Sequence, residues 1–168
     1  MSDKWNKDEW QTPEKVLELV RLIFNGNYIH LDPATAPENP TNAVKFYTKG
    51  DNCLVQDWIA GNVFLNPPFS KPLPFIQKLC EEYDKLRFLE AIALVMQGVG
   101  CNKGTGPLLG IRSSAMCQWR SPRIGFIRDG KQFTKSDFNC GLYYFGPRKE
   151  AFKEVFEDWG NVWYNANR

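Results

Sequence analysis

The feature that most constrains the fold is an aliphatic run at positions 91–96, which carries no polar side chain on either face. A strand with one face in water alternates apolar and polar residues, so this run is typical of a strand buried on both faces. Such strands occur in parallel sheets covered by helices on both sides. Apolar residues with helical spacing at positions 75–83 precede the run, which gives the helix-then-strand order of that kind of sheet.

Strand-like and helix-like patterns alternate along the rest of the chain. Strands are predicted at residues 28–31, 45–48, 63–65, 123–127 and 141–145, and helices at residues 13–24, 75–83 and 107–117, with a last helix that buries Phe152, Val155, Phe156 and Trp159. Thr12 is predicted to cap the first helix, and Asp129-Gly130 to form a tight turn. This order predicts a single domain, residues 1–168, built on one doubly wound, mostly parallel α/β sheet with an antiparallel strand near the carboxyl terminus.

Composition narrows the class of protein further. No apolar run approaches the roughly 20 residues that span a bilayer, and the start of the chain has no apolar signal-peptide core. We therefore expect a cytoplasmic protein with no membrane partner. The five cysteines are widely spaced without a Cys-x-x-Cys pair, and the chain has one histidine. Free thiols are predicted, and no metal site.

Positive charge is concentrated in residues 100–136. The chain as a whole has a net charge of +2, whereas this segment has seven basic residues against one acid, Asp129. The basic residues are Lys103, Arg112, Arg120, Arg123, Arg128, Lys131 and Lys135. A local excess of this kind favours contact with a polyanion such as DNA, although solvated surface side chains would give the same pattern.

The most specific motif follows the apolar strand at residues 63–65. It consists of Asn66, Pro67, Pro68 and Phe69, and is called the Asn-Pro-Pro-Phe motif below. Consecutive prolines cannot donate to a sheet ladder, so the motif is predicted at the carboxyl end of the strand. In a doubly wound sheet this is the edge where ligands bind, and Asp32 is predicted at the same edge.

The residue types of this motif suit one kind of chemistry. An exocyclic amino group of a base is a poor nucleophile, because its lone pair is delocalised into the ring. Two acceptors that take both N–H hydrogens favour a pyramidal, reactive nitrogen, and the Asn66 side-chain oxygen and Pro67 carbonyl are candidates. Phe69 offers a ring on which a base can stack. The alternative is a rigid turn that ends a strand, with Phe69 as a core residue.

The chain resembles the phage-type DNA N6-adenine methyltransferases, a Dam-like family that depends on S-adenosylmethionine, over roughly residues 10–145. The matching pieces are Trp10-Gln11-Thr12-Pro13, Leu31-Asp32-Pro33-Ala34, Phe46-Tyr47-Thr48 with Asp51 and Leu54, Trp58, residues 63–70, and Arg123-Ile124-Gly125-Phe126. The resemblance implies a Rossmann-like methyltransferase fold and methylation of adenine N6 in DNA. For a phage protein, it also places the chain in the bacterial host cell.

The resemblance also implies which residues hold the cofactor, S-adenosylmethionine. These are Trp10, Thr12, Pro13, Asp32, Ala34, Asp51 and Asn66. The general methyltransferase pattern has a Gly-x-Gly loop after the first strand, and Asp32-Pro33-Ala34 stands there instead. For Asp32 and Asp51, a simple turn residue is the alternative interpretation. His30 is interpreted as a strand residue, outside the site.

Recognition of DNA is predicted to come from loops, because no separate domain fits between Asp32 and Asn66. The candidate residues are Lys71, Lys103, Arg112, Arg120, Arg123, Arg128 and Lys131. Two alternatives to an adenine methyltransferase remain open at this point. One is a related enzyme that acts on RNA, cytosine N4 or a protein glutamine, and the other is a catalytically silent DNA-binding module with the same fold.

Overall fold

A computed structural model of the chain describes residues 8–120, 122–133 and 138–166. The helices are α1 (Glu14–Ile23), α2 (Leu73–Asp84), α3 (Gln97–Gly100), α4 (Gly106–Arg112) and α5 (Lys149–Phe156). The strands are β1 (Leu31–Asp32), β2 (Lys45–Phe46), β3 (Asn62–Leu65), β4 (Glu90–Met96), β5 (Ala115–Trp119), β6 (Ile127–Arg128), β7 (Lys131–Gln132), β8 (Cys140–Phe145) and β9 (Gly160–Tyr164).

Seven strands form one sheet in the order β2-β1-β3-β4-β8-β5-β9. The first four strands in this order are parallel to one another, and β5 runs in the same direction. β8 and β9 run the other way. The predicted α/β class with a mostly parallel sheet is therefore confirmed, and two antiparallel strands stand where one was expected. β6 and β7 form a separate hairpin.

The sheet is buried on both faces, as the aliphatic run of β4 predicts. On one face Phe64, Ile92 and Leu94 pack into a core with α1 and α5. On the other face Val63 and Ala93 join a second core with α2 and α4. Successive residues of a strand point to opposite faces, so one short strand contributes to both cores.

The order of connections reverses at β1 and β3. From β1 the chain crosses to β2 on one side, and it then returns to β3 on the other side. In open α/β sheets, ligands bind at such a reversal, outside the carboxyl ends of the strands. Asp32 ends β1 and Asn66 directly follows β3, so both lie at this edge.

Two predicted elements are wrong, and the last helix ends at Phe156, so Trp159 lies beyond it and is only partly buried, as is Val155. The helix predicted at residues 107–117 ends at Arg112, and Ala115–Trp119 is the strand β5. Pairing with both β8 and β9 outweighs local helical preference there. The strand predicted at residues 123–127 is reduced to Ile127–Arg128, which pairs with β7 through the turn predicted at Asp129 and Gly130. Both turn residues have positive φ, as a two-residue hairpin requires.

Thr12 does not cap α1, contrary to prediction. The cap position is held by Pro13, which has no side chain able to accept a hydrogen bond, and the helix begins at Glu14. The Thr12 hydroxyl lies instead at the carboxyl edge of the sheet, where it accepts a hydrogen bond from Asn66. Within the described residues, no helix is long and apolar enough to cross a membrane, and no cluster of His, Cys, Asp and Glu side chains could hold a metal ion.

Candidate active site at the carboxyl ends of the strands

Asn66 is the centre of the site, and its amide is held by the segment that precedes α1. The amide nitrogen Nδ2 donates to the backbone carbonyl of Trp10 and to the hydroxyl of Thr12, at 3.2 Å each. The amide oxygen Oδ1 is buried and accepts no hydrogen bond within the described structure. An unsatisfied buried acceptor costs about 1–3 kcal/mol, so this atom is a candidate acceptor for a ligand N–H.

The rest of the Asn-Pro-Pro-Phe motif forms a tight turn into α2. Pro67 is buried, and its carbonyl accepts no hydrogen bond from a described residue. The Lys71 backbone N–H donates to the carbonyl of Pro68 at 3.3 Å. Past the motif, Ser70 donates its N–H and its hydroxyl to the two carboxylate oxygens of Asp8, at 2.8 and 2.6 Å. The motif is thus tied at both ends to residues 8–12.

Phe69 lies in an aromatic cluster. Its ring makes edge contacts with Phe126 and Phe138, at centroid distances of 5.6 and 5.1 Å. Trp10 joins the cluster through Phe126 and Phe133. Phe69 is half-buried, so it has a packing role whether or not a base stacks on it. Removing its ring would therefore change both packing and any stacking.

Asp32 is a buried carboxylate at the end of β1, only 3% exposed. Its oxygens accept hydrogen bonds from the Ala34 N–H at 3.1 Å and the Thr41 hydroxyl at 2.8 Å. Burial raises the pKa of Asp32 to about 6, and the hydrogen bonds from Ala34 and Thr41 offset part of that rise. Burial of an ionisable carboxyl group lowers folding stability when the group is charged, and groups of this kind are typical of functional sites.

Asp51 lies beyond β2, at the same edge of the sheet. Its Oδ2 atom accepts from the backbone N–H and the hydroxyl of Thr48, at 2.8 and 2.7 Å. These two bonds lower the pKa of the exposed Asp51 carboxyl. The ionised carboxylate is therefore stabilised at neutral pH and faces solvent.

A cavity of about 820 Å³ opens beside the motif. It lies between the start of α2 and the facing ends of β4 and β8, and its lining includes Ser70, Lys71, Gln97, Asn102, Phe138 and Asn139. The edge contact between Phe138 and Phe69 joins the wall of the cavity to the motif. The volume is ample for one nucleotide.

Comparison with known proteins decides the family. The family model of DNA N-6-adenine-methyltransferase (Dam) matches residues 2–102, which is more than half of the chain. The chain belongs to the Dam family. The resemblance read from the sequence motifs is thereby confirmed, and the matched range contains Thr12, Asp32, Asp51 and the Asn-Pro-Pro-Phe motif.

Two curated relatives carry the name DNA N-6-adenine-methyltransferase. The chain is 38% identical to the protein of Haemophilus phage HP1 (strain HP1c1) over 73 residues, which are 44% of this chain and 41% of the relative. It is 37% identical to the protein of Escherichia phage T1 over 79 residues, which are 46% of this chain and 32% of the relative. The similarity thus spans less than half of either relative.

The basic residues of the segment 100–136 all follow the part of the chain that matches the Dam model. Their side chains lie at several different places in the structure. Lys103 is exposed in the loop between α3 and α4, next to the cavity residue Asn102. Arg128 lies over the Trp10 ring at 5.3 Å, and Lys131 is exposed on the same hairpin. Lys71, outside the segment, lines the cavity. Lys71, Lys103 and Arg128 thus lie beside the cavity or beside Trp10, and Lys131 lies on the hairpin that carries Arg128.

Three other predicted DNA contacts are placed differently. Arg112 lies at the opposite edge of the sheet, before β5, where it forms a bidentate ion pair with Asp84. Arg120 donates to the carbonyl of Glu157, and Arg123 lines a separate cavity of about 330 Å³. Arg112 therefore lies apart from the motif and its cavity. Lys135 lies outside the described residues.

Two residues of the site were missed by sequence reasoning. Asp8 and Ser70 are linked across 62 positions, and neither belongs to a motif that indicates the contact. His30 was interpreted as lying outside the site, and its Nδ1 atom accepts from the Gly61 N–H at 2.9 Å. That bond ties the loop before β1 to the residue before β3.

Proposed function

We propose that the protein is an S-adenosylmethionine-dependent DNA methyltransferase that modifies N6 of adenine. The observation that carries the proposal is the buried Asn66 Oδ1, an acceptor without a donor at the carboxyl edge of β3. Membership of the Dam family and the names of the phage relatives support it. The reversal of strand order at β1 and β3 supports a Rossmann-like methyltransferase fold.

The motif activates the amino group by accepting both of its hydrogens. Asn66 Oδ1 takes one N–H and the Pro67 carbonyl takes the other, which favours a pyramidal nitrogen with a free lone pair. Both acceptors are positioned before the base arrives, because Asn66 is held by two hydrogen bonds and Pro67 is rigid. Asn66 Oδ1 is covered in this structure, so the base reaches it only when neighbouring groups shift.

The residues at this reversal of strand order fit the cofactor, which supplies a methyl group on a positively charged sulfonium. Asp51 offers an exposed, ionised carboxylate beyond β2, suited to hydroxyl groups of a ribose. Asp32 adds a second acidic group at the end of β1 and holds its own loop through Ala34. Trp10 and Thr12 border the same edge through their hydrogen bonds with Asn66, and Pro13 directly follows Thr12. These contacts take the place of the missing Gly-x-Gly loop.

The cavity beside the motif suits the target nucleotide. A base inside a duplex cannot reach Asn66, so the target must leave the stack. Gln97 lines the cavity, and asparagine and glutamine amides pair well with the N6 and N7 edge of adenine. Lys71 on the cavity wall and Lys103 nearby are placed to meet the flanking phosphates.

The test of this function is direct. Purified protein is incubated with unmethylated plasmid DNA and S-adenosylmethionine carrying a deuterated methyl group, and the digested nucleosides are separated by mass spectrometry. We expect deuterated N6-methyladenine. Deuterated N4-methylcytosine, or product from an RNA substrate incubated in parallel but not from DNA, would favour the related enzymes named above. Absence of any product, together with no heat on calorimetric titration with the cofactor, would leave the silent DNA-binding module.

Replacing Lys71 and Lys103 together by glutamine is expected to weaken DNA binding and flatten its salt dependence. Each phosphate contact releases about 0.9 counterion, so the slope of log K against log salt should fall by about 2 for two lost contacts. Fluorescence anisotropy with a labelled duplex from 50 to 300 mM salt, about the range where such binding changes most, measures the slope.

Arg112→Gln is the control for that experiment. Arg112 has the same charge but lies at the opposite edge of the sheet, paired with Asp84. Its replacement should leave the slope unchanged. If Arg112→Gln flattens the slope and the double lysine variant does not, the DNA lies on the other edge of the sheet.

A further inference from the structure

We propose that Thr12 is a positioning residue, which together with the Trp10 carbonyl orients the Asn66 amide so that Oδ1 faces the target amino group. This inference rests on the proposed function and deepens it. Thr12 is buried, with 5% of its surface exposed, and it is not the helix cap that its sequence context indicates. Its hydroxyl oxygen instead accepts a hydrogen bond from Asn66 Nδ2.

The chemistry of the partners dictates the orientation of the amide. A backbone carbonyl can only accept, so the group of Asn66 that faces Trp10 must be the N–H donor. A rotation of the amide by 180° would bring Oδ1 against the Trp10 carbonyl and leave Nδ2 where the base must bind. A donor there would repel the amino group rather than activate it. The Thr12 hydroxyl takes the second N–H, which satisfies Nδ2 completely.

Residues 8–12, called the amino-terminal strap below, carry both of these partners and are themselves held in place. Asp8 accepts two hydrogen bonds from Ser70 at the far end of the motif. Gln11 exchanges two backbone hydrogen bonds with Ile127 of the hairpin, at 2.8 and 2.9 Å. The strap is thus fixed on both sides, and the orientation of Asn66 is set before a ligand binds.

Thr12 is also a candidate contact for the cofactor, so the experiment must separate the two roles. Single-turnover methyl transfer is measured with cofactor and DNA both saturating, for Thr12→Val, Thr12→Ser, Asn66→Ala and Thr12→Val with Asn66→Ala. We expect Thr12→Val to slow transfer about tenfold and Thr12→Ser to stay within about twofold of the wild type, since serine keeps the acceptor. Ser114→Ala removes a buried hydroxyl at the opposite edge and should not change the rate.

The double variant gives the decisive comparison. If Thr12 acts through Asn66, the double variant is no slower than Asn66→Ala alone. Effects that multiply would show that Thr12 acts elsewhere, for instance on the cofactor, and would overturn the positioning role while the proposed function stands.

A second readout does not depend on activity. The side-chain amide protons of Asn66 are followed by ¹⁵N NMR and assigned by their loss in Asn66→Ala. They should exchange with solvent more slowly than those of the exposed Asn161, and faster in Thr12→Val than in the wild type. Wild-type exchange as fast as that of Asn161 would overturn the proposal, even in a protein that methylates nothing.

Discussion

Asn66→Ala is expected to lower the rate of methyl transfer by about 10²-fold or more, while the affinities for cofactor and DNA stay near those of the wild type. Asn66 Oδ1 accepts from the amino group most strongly as the nitrogen becomes pyramidal, so its loss raises the barrier rather than weakening binding. Loss of one preorganised donor or acceptor in comparable sites costs about 10²–10³ in kcat. Transfer is measured with cofactor and DNA saturating, so that binding does not contribute.

The stability of the Asn66→Ala variant is the necessary control. Removing the amide leaves the Trp10 carbonyl and the Thr12 hydroxyl without their donor, which should cost about 1–3 kcal/mol. Rates are therefore compared well below the melting temperature of the variant. Methylation at near the wild-type rate would remove Asn66 from the mechanism and, with it, the role of the buried oxygen.

Asp32→Asn is expected to stabilise the fold at pH 8. The wild-type carboxyl has a pKa of about 6 in the fold against an ordinary value of 3.8, a difference that corresponds to about 3 kcal/mol. Folding is thus penalised when Asp32 is ionised. Asparagine avoids this penalty and can keep the hydrogen bond from Ala34. Urea unfolding from pH 4 to pH 8 measures the gain.

The direction in which folding stability changes with pH distinguishes the effect of Asp32 from that of a carboxyl group whose pKa is lowered. Between pH 4 and pH 6 the folded protein binds more protons at Asp32 than the unfolded chain, so wild-type stability falls as pH rises through this range. Asp32→Asn removes that fall, and its advantage disappears near pH 4. Asp51→Asn is the control of opposite sign, because the pKa of Asp51 is lowered and its stabilising contribution is lost as pH falls. Equal pH profiles for wild type and Asp32→Asn would show that Asp32 is not buried as described.

Elements with strong local patterns were predicted correctly. The aliphatic run of β4 and the helical spacing of α2 each occupy the predicted place, and the motif follows β3 as expected. In these segments the spacing of the apolar residues is enough to predict which faces are buried. Asp32 and Asn66 both lie at the carboxyl edge of the sheet, as the order of elements predicted.

Segments whose structure depends on distant partners were not predicted. β5 becomes a strand because it is inserted between β8 and β9. The edge strand β9 was not predicted, although Val162, Trp163 and Tyr164 are residues that favour strands. The hydrogen bonds from Asn66 to Trp10 and Thr12 join residues more than 50 positions apart. Their existence depends on the chain returning to the same edge, which no spacing within a single segment encodes.

The bridge between Gln11 and Ile127 affects which amino-acid changes the chain can accept at these two positions. It is made only of backbone N–H and carbonyl groups, so it places little demand on which side chains occupy either position. The strap belongs to the family-matched part of the chain, whereas the hairpin lies beyond it. Other side chains at Gln11 or Ile127 can therefore be accepted without loss of these two bonds, whereas the Arg128 and Phe133 side chains contact Trp10 of the strap and are constrained by it.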